Sequence, residues 1–129
     1  GGMTFEAQFT SRHIVCLHDC YCGHPSIARK APAASVIEWK ARLDNWRKPL
    51  GLDEGRLYLM GHTHQGGVWH LDGGHLAVGE TGCMMQPGVM SYVLEDQQRA
   101  GFKAPVIGYV SFEQVGGVTQ LASVKFHLL

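Results

Sequence analysis

The hydrophobic and polar positions along the chain predict β-strands, one amphipathic helix and two hairpins. Residues 14–17 and 57–60 are short, continuous apolar runs, and each has the length of a buried strand. Residues 3–11 are weakly patterned and predict at most a short first strand. The two apolar runs are therefore the anchors of the predicted sheet.

The clearest helix is predicted over residues 35–50. Apolar side chains spaced three and four residues apart form one stripe, made of Val36, Trp39, Leu43, Trp46 and Leu50. Ser35 and Glu38 predict a capping box at the start of the helix, and Pro49 with Gly51 predicts its end. We interpret the two tryptophans as core anchors that pack against a sheet.

Two pairs of β-rich segments flank glycine-rich turns. Residues 68–71 and 75–78 surround Asp72-Gly73-Gly74, and residues 106–112 and 118–126 surround Gly116-Gly117. On the last segment, Val118, Ala122, Val124 and Phe126 are expected to share one face. Between the hairpins, residues 79–88 predict a loop and residues 89–99 a short helix.

The order strand, helix, strand from residue 14 to residue 60 predicts a crossover connection. Such a connection joins parallel strands that are usually neighbours in the sheet. The expected fold is therefore α+β or α/β, with a mixed sheet, one main helix and two hairpins. The chain of 129 residues predicts a single domain over residues 3–129, since Gly1 and Gly2 are typical of a cloning remnant.

Charge and composition narrow the class of protein. Eleven basic residues balance eleven acidic ones, which argues against a protein that holds nucleic acid by charge. No apolar run is long enough to span a membrane. Four cysteines without a signal peptide predict free thiols in a reducing compartment, hence a cytoplasmic protein. Eight histidines are the compositional outlier.

Two of these histidines follow the second apolar run directly, in the segment Gly61-His62-Thr63-His64-Gln65. An extended backbone would direct His62 and His64 to the same side, with Thr63 pointing away. Two imidazoles at the carboxyl end of a strand suit a metal site. The H-x-H spacing alone does not separate this interpretation from two ordinary polar loop residues.

The strand, the Gly-His-Thr-His-Gln segment and the glycine-rich hairpin together resemble the last metal-binding motif of the calcineurin-like metallophosphoesterases. The resemblance covers residues 12–129 and corresponds to the carboxyl-terminal half of that family. It implies half of a four-layer α/β/β/α sandwich. It also implies that His18, which follows the first apolar run, is a metal ligand together with His62 and His64. Thr81-Gly82 matches a small-residue turn of the family loosely.

The implied activity is hydrolysis of phosphate mono- or diesters at two divalent ions, which would be manganese, iron or zinc. A nearby histidine such as His24 is a weak candidate for protonating the leaving oxygen. The substrate class is open among nucleic acids, nucleotides, phosphoproteins and phospholipid headgroups. The interpretation requires residues 18, 62 and 64 to meet at one edge of the sheet.

The D-x-H, G-D and G-N-H motifs of the family's first half are absent from the sequence. Three imidazoles alone do not offset the charge of two dications, so carboxylates are needed from elsewhere. Half a sandwich would also leave an apolar sheet face bare. We therefore expect a homo-oligomer or a partner chain that supplies the missing half. The alternative is a non-catalytic interaction domain of the same fold.

A third hypothesis is a structural zinc site in the segment that begins at His18, where histidines and cysteines alternate with other residues. His18, Cys20, Cys22 and His24 are the chemical types that bind structural zinc, but their spacing is tighter than that of common zinc knuckles. The default interpretation of Cys16 and Cys83 is that of buried neutral thiols. His70, His75 and His127 are expected to be exposed or structural.

Overall fold

The computed structural model of the chain describes residues 3–6, 13–25, 31–82 and 106–129. Cys83, residues 83–88 of the loop expected at 79–88 and the helix expected at 89–99 lie outside these residues. The start of that loop was predicted wrongly, because Gly79 and Glu80 end a strand that spans Leu76–Glu80. Across the described parts of the chain, no helix is long and apolar enough to cross a membrane.

The described residues form eight strands and one long helix. The strands are β1 (Met3–Glu6), β2 (His13–Leu17), β3 (Cys20–Gly23), β4 (Leu57–Met60), β5 (Gly67–Leu71), β6 (Leu76–Glu80), β7 (Gly108–Val115) and β8 (Val118–Leu128). Helix α1 spans Pro32–Arg47 and continues into a 3-10 turn, Lys48–Leu50. A second 3-10 turn, Asp72–Gly74, links β5 to β6.

Six strands form one mixed sheet in the order β1-β2-β3-β4-β6-β5, and β7 with β8 forms a separate two-stranded sheet. The pairs β3–β4 and β4–β6 are parallel, whereas β1–β2, β2–β3 and β5–β6 are antiparallel. The predicted class, α+β with a mixed sheet and one main helix, is confirmed, and the two predicted hairpins are present as β5–β6 and β7–β8.

The prediction that the first apolar run and β4 are parallel neighbours is wrong. A two-residue turn at His18 and Asp19 reverses the chain, and it carries His18 at a positive φ of 58°. The strand β3, which the pattern did not predict, then pairs antiparallel with β2 and parallel with β4. The carboxyl end of β2 therefore lies at the opposite edge of the sheet from the carboxyl end of β4.

Helix α1 begins three residues before the predicted Ser35. Ala31 is the N-cap residue and Pro32 occupies the first turn, where its fixed φ suits a helix and its missing N–H is no loss. Ser35 therefore lies within the helix, with its Oγ 3.4 Å from the Ala31 carbonyl oxygen. The apolar stripe is confirmed through Trp46, but Leu50 is 59% exposed because the helix has ended before it.

The two faces of the sheet carry two different cores. On one face, Trp39 and Leu43 of α1 pack with Tyr58 and Met60 of β4. On the other face, Leu57 and Leu59 of β4 pack beneath the β7–β8 hairpin, in a cluster completed by Cys20, Ala77, Leu121 and Val124. The four consecutive residues of β4 alternate between these cores, which explains why all of them are buried.

The β7–β8 hairpin covers part of the apolar sheet face that was expected to be bare. Leu121 and Val124 of β8 are buried against Leu57 and Leu59, so this part of the sheet is covered by the chain itself. The layers are therefore helix, six-stranded sheet and two-stranded sheet. No partner chain is needed to cover Leu57 and Leu59.

Candidate functional site

The segment Gly61-His62-Thr63-His64 forms a bend after β4 and does not continue it as an extended strand. The backbone of His64 has a φ of 61°, a left-handed conformation that is uncommon for a residue with a side chain. The alternation expected to put His62 and His64 on one side therefore does not apply. Strained backbone of this kind is often found at functional sites.

A buried carboxylate holds this bend in place. Glu80, the last residue of β6, is fully buried, and its Oε2 accepts hydrogen bonds from the Thr63 backbone N–H at 2.6 Å and from the Thr63 hydroxyl. Its Oε1 accepts a bond from the Gly82 N–H at 2.8 Å. Glu80 was expected only as part of the loop at 79–88, although a Glu at the end of an apolar run, just before Thr81-Gly82, was the available signal.

His64 is attached to the base of the β7–β8 hairpin through its backbone. Its carbonyl oxygen accepts a hydrogen bond from the Val106 N–H at 2.7 Å. The side-chain Nδ1 of His64 is buried and has no hydrogen-bond partner among the described residues. A buried imidazole nitrogen without a partner is costly, so this atom marks a position where a ligand would be favourable.

His24 is the histidine that the fold brings to His62. It follows β3 as Gly61-His62 follows β4, and the two strands are parallel, so both histidines lie at the same edge of the sheet. The ring centroids of His24 and His62 are 5.4 Å apart, with the rings nearly perpendicular at 86°. A Cβ on Gly61 would come within 3.4 Å of His24 Cδ2, so the glycine leaves room for this imidazole.

His18 lies at the opposite edge, and the structure does not bring it to His62 or His64. It is exposed and borders a cleft of about 660 Å³ that is also lined by Asp19, Asp53, Glu54 and Arg56. A Cβ on Gly117, in the turn between β7 and β8, would come within 3.1 Å of His18 Nδ1. The expected convergence of residues 18, 62 and 64 therefore fails in this topology.

The four residues of the zinc hypothesis are separated by the strand between them. His18 precedes β3 and His24 follows it, and four steps of extended chain cover about 13 Å. Cys16, Cys20 and Cys22 are free thiols, as predicted, and the Sγ atoms of Cys20 and Cys22 are 3.5 Å apart. The hydrogen bond between these two thiols raises the pKa of Cys20 and lowers the pKa of Cys22, and burial raises the pKa of Cys16.

Three further histidines, His70, His75 and His127, were expected to be exposed or structural. His70 and His75 are exposed near the turn between β5 and β6, as expected. His127 stacks on Tyr109 and its Nε2 is 2.6 Å from Ser111 Oγ, so it has a structural role on the hairpin. Within residues 3–6, 13–25, 31–82 and 106–129, no group of three His, Cys, Asp or Glu side chains is arranged to hold a metal ion.

Neither the protein-family models nor the curated proteins match this chain. The chain is similar to the solution NMR structure of the Thermotoga maritima protein TM1076, with a TM-score of 0.40 and 15% sequence identity. That match covers 96% of this chain and 57% of the other, so the chain spans little more than half the length of that protein.

Proposed function

We propose that this chain contributes imidazole ligands to the divalent-metal centre of a hydrolase that acts on phosphate mono- or diesters. The observation that carries the proposal is the His24–His62 pair, at the carboxyl ends of the parallel strands β3 and β4 with ring centroids 5.4 Å apart. In this proposal His24 takes the part that the sequence analysis gave to His18. The resemblance of the Gly61–His64 segment to the metallophosphoesterase motif supplies the reaction class.

The spacing of the two rings fits two ligands of one ion. With metal–nitrogen distances of about 2.0–2.1 Å and tetrahedral angles, two imidazole centroids on one zinc ion lie roughly 5 Å apart. The buried Nδ1 of His64 lies in the same bend without a partner among the described residues, but it is not arranged with the pair as a third ligand. The pair of imidazoles suits manganese, iron or zinc, all of which accept imidazole.

The bend that carries His62 and His64 is held by contacts that do not involve a metal. Glu80 binds the Thr63 N–H and hydroxyl, and in this way orients the bend between His62 and His64. Because Glu80 is fully buried and already accepts these bonds together with that of Gly82, it acts as a positioning residue. The neutral imidazoles leave the charge of a dication uncompensated, so we place the carboxylate ligands on a partner chain.

A divalent ion held here would polarise a phosphoryl oxygen and lower the pKa of a bound water. An imidazole that binds a metal through its free nitrogen cannot deliver a proton from that atom. We therefore assign His24 to metal binding and not to protonation of the leaving oxygen. His18, at the other edge of the sheet, has no part in this site.

Metal binding by the purified full chain tests the proposal. After removal of metal with a chelator, Zn²⁺ or Mn²⁺ is titrated by isothermal calorimetry into the wild type and into His24→Ala, His62→Ala and His18→Ala. Loss of a residue that merely supports a ligand typically weakens metal binding about 10–100-fold, so loss of His24 or His62 should weaken it at least as much. The His18→Ala control should bind like the wild type.

Two outcomes would contradict the assignment. Binding that survives in His24→Ala and His62→Ala alike, or that disappears in His18→Ala, would show that the ligand pair is wrong. A parallel assay with an aryl phosphate and an aryl phosphodiester separates the hydrolase from the non-catalytic interaction domain. A chain that binds metal but shows no turnover with Mn²⁺, even with the partner chain that co-purifies, would support the interaction domain.

A further inference from the structure

Two thiols lie side by side on strand β3. Cys20 and Cys22 are two residues apart on an extended strand, so their side chains project from the same face of the sheet. Their Sγ atoms are 3.5 Å apart. Because β3 is paired with β2 on one side and with β4 on the other, its backbone fixes the spacing of the two Cβ atoms.

This spacing is too wide for a disulfide but suits an ion between the two sulfurs. The Cβ atoms of residues i and i+2 on a strand are about 6.6 Å apart, whereas a disulfide spans roughly 3.5–4.5 Å between its Cβ atoms. Two metal–sulfur bonds of about 2.3 Å place the sulfurs roughly 3.8 Å apart at a tetrahedral angle and about 4.6 Å apart in line. The S–S bond of a disulfide is only about 2.05 Å long, so an ion widens the span by about 2 Å. The Sγ atoms, which are 3.5 Å apart, reach this separation by side-chain rotation alone.

The surroundings of the pair leave the two sulfurs as the whole ligand set. Cys20 is fully buried in the apolar cluster beneath the β7–β8 hairpin, with Leu57 and Leu121. Cys22 is partly buried at the margin of the same cluster, so an ion can enter from its side. Among the described residues, no group of three His, Cys, Asp or Glu side chains is arranged to hold a metal ion. A structural zinc ion, which takes four ligands, and the oxygen-binding ions calcium and magnesium therefore do not fit here.

We propose that Cys20 and Cys22 form a binding site for one monovalent copper ion, with each sulfur as one of its two ligands. Thiolates are soft ligands that select Cu⁺, and this ion is satisfied by two of them in a linear arrangement. Each thiol releases its proton and its sulfur forms one bond to the ion, so the copper stays monovalent and no electron is transferred. This site uses sulfur ligands and the His24–His62 pair uses nitrogen, so the inference does not depend on the proposed hydrolase.

Competition with a coloured chelator tests the site in the full chain. Cu⁺ is titrated under anaerobic conditions into the reduced protein in the presence of bathocuproine disulfonate, and the loss of the chelate's colour gives the affinity. The wild type should bind one equivalent, and X-ray absorption of the complex should show sulfur neighbours and no nitrogen. In Cys22→Ser the affinity should fall by more than the roughly 10–100-fold that loss of a supporting residue costs, because one of only two ligands is gone.

Two variants are the matched controls. Cys16 lies in the core on the other face of the sheet, with its Sγ 3.3 Å from the His18 carbonyl oxygen. A chain that carries both Cys16→Ala and Cys83→Ala should therefore bind one Cu⁺ as tightly as the wild type. His24→Ala should also bind like the wild type, which separates this site from the pair of imidazoles.

Three outcomes would overturn the proposal. They are a wild type that competes no better than Cys22→Ser, nitrogen among the neighbours of the bound copper, and loss of binding in either control variant. Because Cys22 is only partly buried, its replacement by serine is a mild change for the fold. X-ray absorption of the wild-type complex identifies the ligand atoms even if a variant does not fold.

Discussion

At the scale of single residues, Tyr58 shows how burial is combined with polar contacts. Its ring is buried between Tyr21 and Trp39, with centroid distances of 5.4 and 6.5 Å. Its hydroxyl accepts a hydrogen bond from the Gly55 N–H at 3.0 Å and lies 3.4 Å from Asp44 Oδ1. Burial raises the pKa of Tyr58 to about 12, and the nearby Asp44 carboxylate adds to the shift.

This shift predicts a loss of stability at alkaline pH. An unfolded tyrosine ionises near pH 10. Between about pH 10 and 12 the folded state therefore holds a proton that the unfolded state has released, and the free energy of unfolding falls as the pH rises. Tyr58→Phe should cost about 1 kcal/mol at neutral pH through the lost hydrogen bonds, but should show a shallower decline above pH 10.

Urea unfolding between pH 8 and pH 11 checks this prediction. Burial also raises the pKa of Tyr21 to about 12, so part of the alkaline decline should remain in the variant. Tyr109→Phe, which changes a tyrosine at the surface of the hairpin, is the control. Equal slopes for the wild type and Tyr58→Phe would show that the buried hydroxyl is not the source of the decline.

At the scale of elements, the bend after β4 depends on the end of β6. The Glu80 carboxylate satisfies the Thr63 N–H, the Thr63 hydroxyl and the Gly82 N–H, and Thr63 is itself buried. Two loops are thus joined through one side chain. A carboxylate is suited to this position because it accepts bonds at both oxygens, whereas an amide offers only one accepting oxygen.

Glu80→Gln should therefore destabilise the fold by about 1–3 kcal/mol, because its NH₂ group faces a buried donor. The effect should be local, so the amide protons of Thr63 and Gly82 should exchange with solvent faster while those of α1 change least. Hydrogen exchange measured by NMR gives both readouts. Glu113→Gln, on the exposed side of β7, is the matched control and should leave all of these amides unchanged.

The elements that could be predicted from the sequence are those with a strong period or a strong turn signal. Helix α1 and the hairpins β5–β6 and β7–β8 belong to this group. Strand β3 could not be predicted in this way, because Cys20–Gly23 has only four residues and begins directly after a two-residue turn without glycine or proline. Because β3 lies between them, β2 runs antiparallel to β4 and not parallel to it as expected. The histidine beside His62 is therefore His24 and not His18.

The prediction for the faces of β8 holds only in part. Val118 and Ala122 were expected to share a face with Val124, but they are exposed, whereas Thr119, Leu121 and Val124 are buried. The pairing of β7 and β8 has an irregularity between Ser111 and Glu113. A bulge inserts an extra residue and so changes which side chains of the strand face the core. Val124 is therefore buried, whereas Val118 and Ala122 are exposed.

At the scale of the whole molecule, the hairpin is joined to the sheet by Asp19, in the turn between β2 and β3. The Asp19 carboxylate accepts hydrogen bonds from the Thr119 N–H at 2.9 Å and from the Thr119 hydroxyl. Arg56 bridges the same two residues, with its Nε 3.2 Å from the Thr119 carbonyl oxygen and 3.7 Å from Asp19 Oδ2. Contacts that join residues a hundred positions apart are not visible in local sequence patterns.

Removing the Asp19 carboxylate should weaken the attachment of the β7–β8 hairpin to the six-stranded sheet. In Asp19→Ala the Thr119 N–H and hydroxyl remain buried without their acceptor, at a cost of about 1–3 kcal/mol for each donor. Because Leu121 and Val124 still pack on Leu57 and Leu59, the hairpin should stay in place but open more often. Hydrogen exchange should therefore accelerate in β8 more than in α1. Asp53→Ala is the control, because Asp53 lines the same cleft but is exposed. Unchanged protection of β8 in Asp19→Ala would show that apolar packing alone holds the two sheets together.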